Sequence, residues 1–74
     1  MSSMKKNIWY SPHAISRKLE RDITDNDISI VLGEPDYTLS SFDERKIAVK
    51  KITSKLIHVV YKEEKTHINI ITVY

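Results

Sequence analysis

The sequence predicts an α+β domain of β-α-α-β-β-β order, an antiparallel four-stranded sheet with two helices packed on one face. Three observations predict it. Two short segments in the first half carry helix start and stop signals. The second half is rich in β-branched residues broken by turn residues, and the first strand-like run, Ile8-Trp9-Tyr10, precedes the helices. Seventy-four residues make one domain, 1–74, near the size at which a single core becomes marginal. With no cysteine, disulfides and thiolate metal sites cannot supplement that core, and the absence fits a reducing cytoplasm.

Residues 1–6 are expected to form a flexible lead into a strand from Lys6 to Tyr10, where β-branched and aromatic side chains favour extended backbone. Ser11 then caps a helix from Pro12 to about Asp22. Its hydroxyl can accept from a free N–H, and proline suits the first turn. At about 100° per residue His13, Arg17 and Arg21 form one stripe with Glu20 beside it, while Ala14, Ile15 and Leu19 face the core. Thr24 and Asp27 make a capping-box-like start to a second helix. Ile28, Val31 and Leu32 give it an apolar face, and Gly33 as C-cap with Pro35 ends it. A link from Asp36 to about Ser41 leads to strands at Lys46 to Ile52, Lys55 to Lys62 and Thr66 to Tyr74, with turns near Thr53-Ser54 and Glu63-Glu64-Lys65. The last two strands carry apolar groups on both faces. Trp9, Leu19, Val31, Leu32, Val59, Ile70 and Val73 are the expected core.

A formal charge of +2 is too weak to announce nucleic acid by itself, but its placement is uneven. Lys46, Lys50, Lys51 and Lys55 crowd one hairpin, whereas Asp22, Asp25, Asp27, Glu34 and Asp36 crowd another region. No long apolar run follows the start, so neither a signal peptide nor a membrane span is expected, and the location expected is cytoplasmic. If the helices cover one sheet face only, the apolar residues on the other need a partner. A homodimer or a protein complex is therefore expected.

Metal-independent RNA cleavage needs a base at the 2′-OH and an acid at the leaving oxygen, with cations for the phosphorane charge. His13 suits the acid–base role, since imidazole titrates near neutrality. Tyr74 or Tyr61 can donate a proton or stack on a base, and Arg17 and Arg21 can hold the phosphate, with Lys50 and Lys51 as further anion contacts. His58 and His67, on neighbouring strands, are weaker candidates for the same side. The competing reading of the stripe is a solvated helix face held by Glu20. There is no zinc-ligand spacing, calcium loop, glycine-rich phosphate loop or nucleophile elbow, so no metal or cofactor is expected.

Ser11 to Thr24 (S-P-H-A-I-S-R-K-L-E-R-D-I-T), Glu34-Pro35-Asp36, Val59-Val60-Tyr61 and Ile70 to Tyr74 (I-I-T-V-Y) resemble a family of small uncharacterised prokaryotic domains. That pattern is a helix with H-A-x-x-R-x-x-x-R-x-I, a second helix ending near a proline, and a β-meander closing on T-x-Y. The resemblance runs from about Tyr10 to Tyr74. The same element order is similar to the RelE/ParE-like toxins of toxin–antitoxin systems and, more loosely, to BrnT. It implies a RelE-like fold, an antitoxin-like protein partner, RNA as target and a metal-independent endoribonuclease activity. The sequence departs from the RelE pattern in closing its last strand at Tyr74, without the C-terminal helix from which such ribonucleases draw basic and aromatic residues. The expected function is thus a toxin-like RNA-binding domain, an endoribonuclease on that resemblance. The alternative is a non-catalytic protein-interaction module. A basic patch continuous with the His13 stripe favours the first, and a flat apolar sheet face favours the second.

Overall fold

The computed structural model describes residues 7–74, so the expectation for residues 1–6 lies outside the described residues. Its elements are β1 (Asn7–Tyr10), α1 (Pro12–Glu20), α2 (Asp25–Gly33), β2 (Tyr37–Ser40), β3 (Arg45–Ile52), β4 (Lys55–Glu63) and β5 (His67–Val73). The sheet corrects the expected four-stranded antiparallel RelE-like arrangement. It has five strands in the order β1-β5-β4-β3-β2, and it is mixed, because β1 runs parallel to β5. The missed strand, β2, falls in the expected link. Tyr37 and Leu39 pair with Val49 and Ile47 of β3, and the Asp36 N–H donates to the Val49 carbonyl at 2.8 Å. Every residue of β2 is exposed, so the burial alternation that marks a strand in sequence is absent there. The parallel pair was hidden for another reason. It joins the two ends of the chain, and no hairpin turn announces its direction.

Both helices lie on one face. Ala14, Ile23, Ile28 and Val31 bury against Ala48, Ile57, Val59, Ile70 and Val73, with Ile8, Tyr10, Ile52, Tyr61 and Ile68 packed at the margin. A β-bulge between Val60 and Tyr61 makes this possible on β5. Val60 pairs with Thr72 and Tyr61 with Ile70, leaving Ile71 as the extra residue. Ile70 and Val73 are three apart and would point to opposite faces of a regular strand, yet both are fully buried on the helix side. The Ser11 hydroxyl ties this bulge to α1. It donates to the Ile71 carbonyl at 2.8 Å and accepts from the Ala14 N–H at 3.0 Å.

The α2 capping box forms as expected, with Asp27 N–H on the Thr24 hydroxyl at 3.0 Å and Thr24 N–H on the Asp27 carboxylate at 3.1 Å. Gly33, expected as the C-cap, is instead the last helical residue without a positive φ, and Glu34 takes the cap position. Two expected core residues are exposed, Trp9 at 59% and Leu19 at 75%. In β1 it is Ile8 and Tyr10 that alternate toward the helices, so Trp9 points away. On α1 the buried position is Ala14, which leaves Ile15 and Leu19 in solvent.

Candidate nucleic-acid interface

Strand alternation leaves the second sheet face without a helix. Its register rows can be read across the ladders. Arg45, Lys62, Asn69 and Trp9 form one row, and Leu39, Ile47, Val60 and Thr72 the next. Tyr37, Val49, His58 and Tyr74 form a third, where β4 and the chain beyond β5 exchange N–H to carbonyl bonds between His58 and Tyr74 at 2.7 and 2.9 Å. Lys51 opposite Leu56 closes the face. Val49 is fully buried yet stands apart from the helix-side cluster, as a residue on this second face should.

Two properties distinguish this face. First, it concentrates exposed aromatic and apolar groups, with Trp9, Tyr37, Leu39, Leu56 and Tyr74 all among the large exposed hydrophobics. Two of the rings are fixed by stacking. Trp9 lies 4.3 Å from the His67 ring at an interplanar angle of 19°, and Tyr74 lies 4.5 Å from the His58 ring at 7°. Second, the charged side chains at its strand positions are Arg45, Lys51 and Lys62, all cations, with no carboxylate among the described strand positions of that face. Arg45 approaches Asp43 of the preceding turn at 3.9 Å, while its Nε is buried without a partner, as is His58 Nδ1. Side-chain amides of Asn7 and Asn69 flank the Trp9–His67 stack. Flat rings, side-chain amides and cations are the components with which a protein binds single-stranded nucleic acid.

The residues expected to form a site are dispersed by the fold. His13 sits exposed on α1, on the helix side, whereas Tyr74 stacks on the opposite face, so the sheet separates the acid–base pair the sequence suggests. Arg17 pairs with Glu20 at 3.9 Å on the helix surface, the solvated arrangement that competes with an anion site. Arg21 follows the helix end and lines a shallow cleft with Ile23, Lys55, Leu56, Ile57 and Tyr74, at the rim of the open face. Lys55 is anchored there by donating to the Asp22 and Arg21 carbonyls at 3.0 and 3.4 Å. Lys50 and Lys51, adjacent in β3, point to opposite faces. Lys50 pairs with Asp36 at 3.4 Å on the helix side, and Lys51 is exposed on the open face. Of the candidates, then, Tyr74, Lys51 and Arg21 belong to or border one surface.

Tyr61 lies on the helix side, where burial and then Glu63 push its hydroxyl above the ordinary tyrosine range. Tyr10, also toward the helices, is raised by burial and then by the Asp25 carboxylate. That carboxylate is in turn held down, first by its hydrogen bond from Lys18, whose ammonium also stands 5.0 Å over the Tyr10 ring. Tyr10, Lys18 and Asp25 thus form a structural network between β1, α1 and α2. Trp9, Tyr37, Arg45, Lys62 and Asn69 were missed as site residues. The available signal was period-two alternation, which puts 45, 47, 49 and 51 of β3 on one face and 58, 60 and 62 of β4 beside them.

The molecule is thus a small α+β domain that carries two helices on one face of a five-stranded mixed sheet. The chain belongs to the family described as Domain of unknown function (DUF4258), which it matches over residues 10–74. It matches no curated protein and no solved structure. No helix among the described residues is long and apolar enough to cross a membrane.

Proposed function

We propose that this domain binds single-stranded nucleic acid on its uncovered sheet face, with RNA as the class to which the toxin resemblance points. One observation carries the reading. The exposed rings Trp9, Tyr37 and Tyr74 share a face whose strand positions hold three cations and no carboxylate. Bases stack on rings regardless of sequence, and phosphates attract the cations. Charge also argues against self-association through this face, since a second copy would bring Arg45, Lys51 and Lys62 against like charges. The proposal is binding without cleavage, because His13 and Tyr74 stand on opposite sides of the sheet.

The test is a titration of ¹⁵N-labelled protein with a short single-stranded RNA, a DNA of the same sequence and an RNA duplex. Shifts confined to β1–β5 positions of the open face, Trp9 included, with single strands preferred, are the expected result. Perturbation centred on Arg17 and His13 would return the site to the helix. Absence of binding, with light scattering showing a dimer that protects the open face, would replace RNA by a second copy of the chain.

A second reading, a protein-interaction module, has its own observation on the other side of the molecule. Ile15 and Leu19, four apart on α1, are 46% and 75% exposed and make an apolar strip without a partner among the described residues. It fits an antitoxin-like partner that docks on α1 and leaves the RNA face free. Replacing both by Ser would abolish such docking and leave RNA binding unchanged.

A further inference from the structure

Resting on the RNA-binding reading, we infer that the row Trp9–Asn69–Lys62–Arg45 is a subsite for one purine nucleotide. Four neighbouring strands, β1, β5, β4 and β3, place these residues side by side, so their relative positions are fixed by backbone hydrogen bonds rather than by loops. Trp9 offers a large ring with its inner surface already backed by His67 at 4.3 Å, which sets its orientation and leaves it 59% exposed for a base. Next to it, the half-buried Asn69 amide makes no hydrogen bond within the described residues. An amide presents a donor and an acceptor together, and this matches the N6 and N7 edge of adenine.

Strands repeat at about 4.8 Å, so Lys62 stands roughly 10 Å from Trp9, a gap shared between its four-carbon stem and the sugar–phosphate arm of a nucleotide stacked on the indole. Among the described residues Lys62 makes no ion pair, and Arg45, one strand further, is held only by the 3.9 Å approach of Asp43. It suits the next phosphate along the strand. A purine gains more than a pyrimidine from stacking on an indole, and stacking strength is the usual source of preference on such platforms.

Trp9 is the sole tryptophan of the chain, so its emission reports on this subsite and no other. Hexa-adenylate and hexa-uridylate RNA, each end-labelled, are titrated while both label anisotropy and Trp9 fluorescence are followed. Hexa-adenylate is expected to quench Trp9 and to bind more tightly than hexa-uridylate. Trp9→Leu is expected to weaken hexa-adenylate binding roughly 5- to 150-fold, the range for loss of one stacked base. Asn69→Leu should reduce the adenylate preference, and Lys62→Gln should weaken both oligonucleotides alike. Binding by anisotropy with Trp9 emission unchanged would overturn the subsite while leaving RNA binding by the face intact. No binding of either oligonucleotide would overturn both. If Trp9→Leu fails to fold by circular dichroism, the quenching of the wild type and the Asn69→Leu ratio decide the matter.

Discussion

Ile70 and Leu19 are of similar hydrophobicity, and the sequence placed both in the core, yet the fold treats them oppositely. Ile70 is fully buried beneath α1, and Leu19 is 75% exposed. Ile70→Ala removes contacts in a packed interior and should cost about 2–5 kcal/mol, a large share of the stability of so small a domain. Leu19→Ala should stay within about 0.5 kcal/mol, as surface replacements do. Urea denaturation of the two variants checks the pair. Asp36 gives a pH-dependent counterpart. The Lys51 backbone N–H at 3.0 Å, and then the Lys50 ammonium, hold its carboxyl below the ordinary aspartate range. A carboxyl lowered by folding stabilises above its unfolded pKa of about 4, and that contribution is lost as pH falls through the folded value. Asp36→Asn should therefore be less stable than wild type at neutral pH, with the gap closing below about pH 4. A gap that persists at pH 2 would assign the effect to something other than the charge.

Caps and turns, at the scale of elements, were the most legible part of the sequence. Ser11 and Thr24 start α1 and α2 where their hydroxyls predict, because capping depends on a few neighbouring residues. Their consequences differ. Thr24 caps an exposed end, and Thr24→Ala should cost about 1 kcal/mol. Ser11 also donates to the Ile71 carbonyl in the bulge of β5, so Ser11→Ala should exceed Thr24→Ala, by about another 1 kcal/mol for the lost bond. Equal losses in denaturant would mean that the bulge holds its register without Ser11. The β3–β4 turn was also read correctly at Thr53-Ser54, but with a residue poorly suited to it. Thr53 sits at φ 58, a region that a β-branched side chain adopts only with strain. Thr53→Gly should raise stability by up to about 1 kcal/mol, measurable as a higher melting temperature. What the sequence did not reveal at this scale was β2, the parallel pairing of β1 and which side of α1 is buried. Each is decided by tertiary contacts between distant segments, and in β2 every residue is exposed, so no alternation betrays the strand.

Across the whole molecule, the candidate site was half legible for the same reason. Residue types pointed to phosphate chemistry, and Tyr74, Lys51 and Arg21 do lie on or beside the open face, but the grouping of His13 with Arg17 and Arg21 followed helical periodicity alone. Periodicity fixes which residues share a helix face, not which face of the sheet that helix covers. Once α1 and α2 occupy one side, the alternate residues of five strands become a single surface, and its chemistry is a sum that no local motif contains. That sum makes a quantitative prediction. If Arg45, Lys51 and Lys62 each neutralise one phosphate, the logarithm of the RNA association constant should fall with the logarithm of salt at a slope of about −2, from roughly −0.7 per contact on single strands. Between 50 and 200 mM salt this amounts to roughly a 20-fold loss of affinity. Lys51→Gln and Lys62→Gln should each make the slope shallower by about 0.7. The Arg17→Gln and Arg21→Gln double variant should leave it close to wild type, since Arg17 is paired with Glu20 on the far side and Arg21 only borders the face. A filter-binding titration at several salt concentrations separates the two surfaces. A slope that flattens in the arginine variant and not in the lysine variants would move the phosphate contacts from the sheet to the helix.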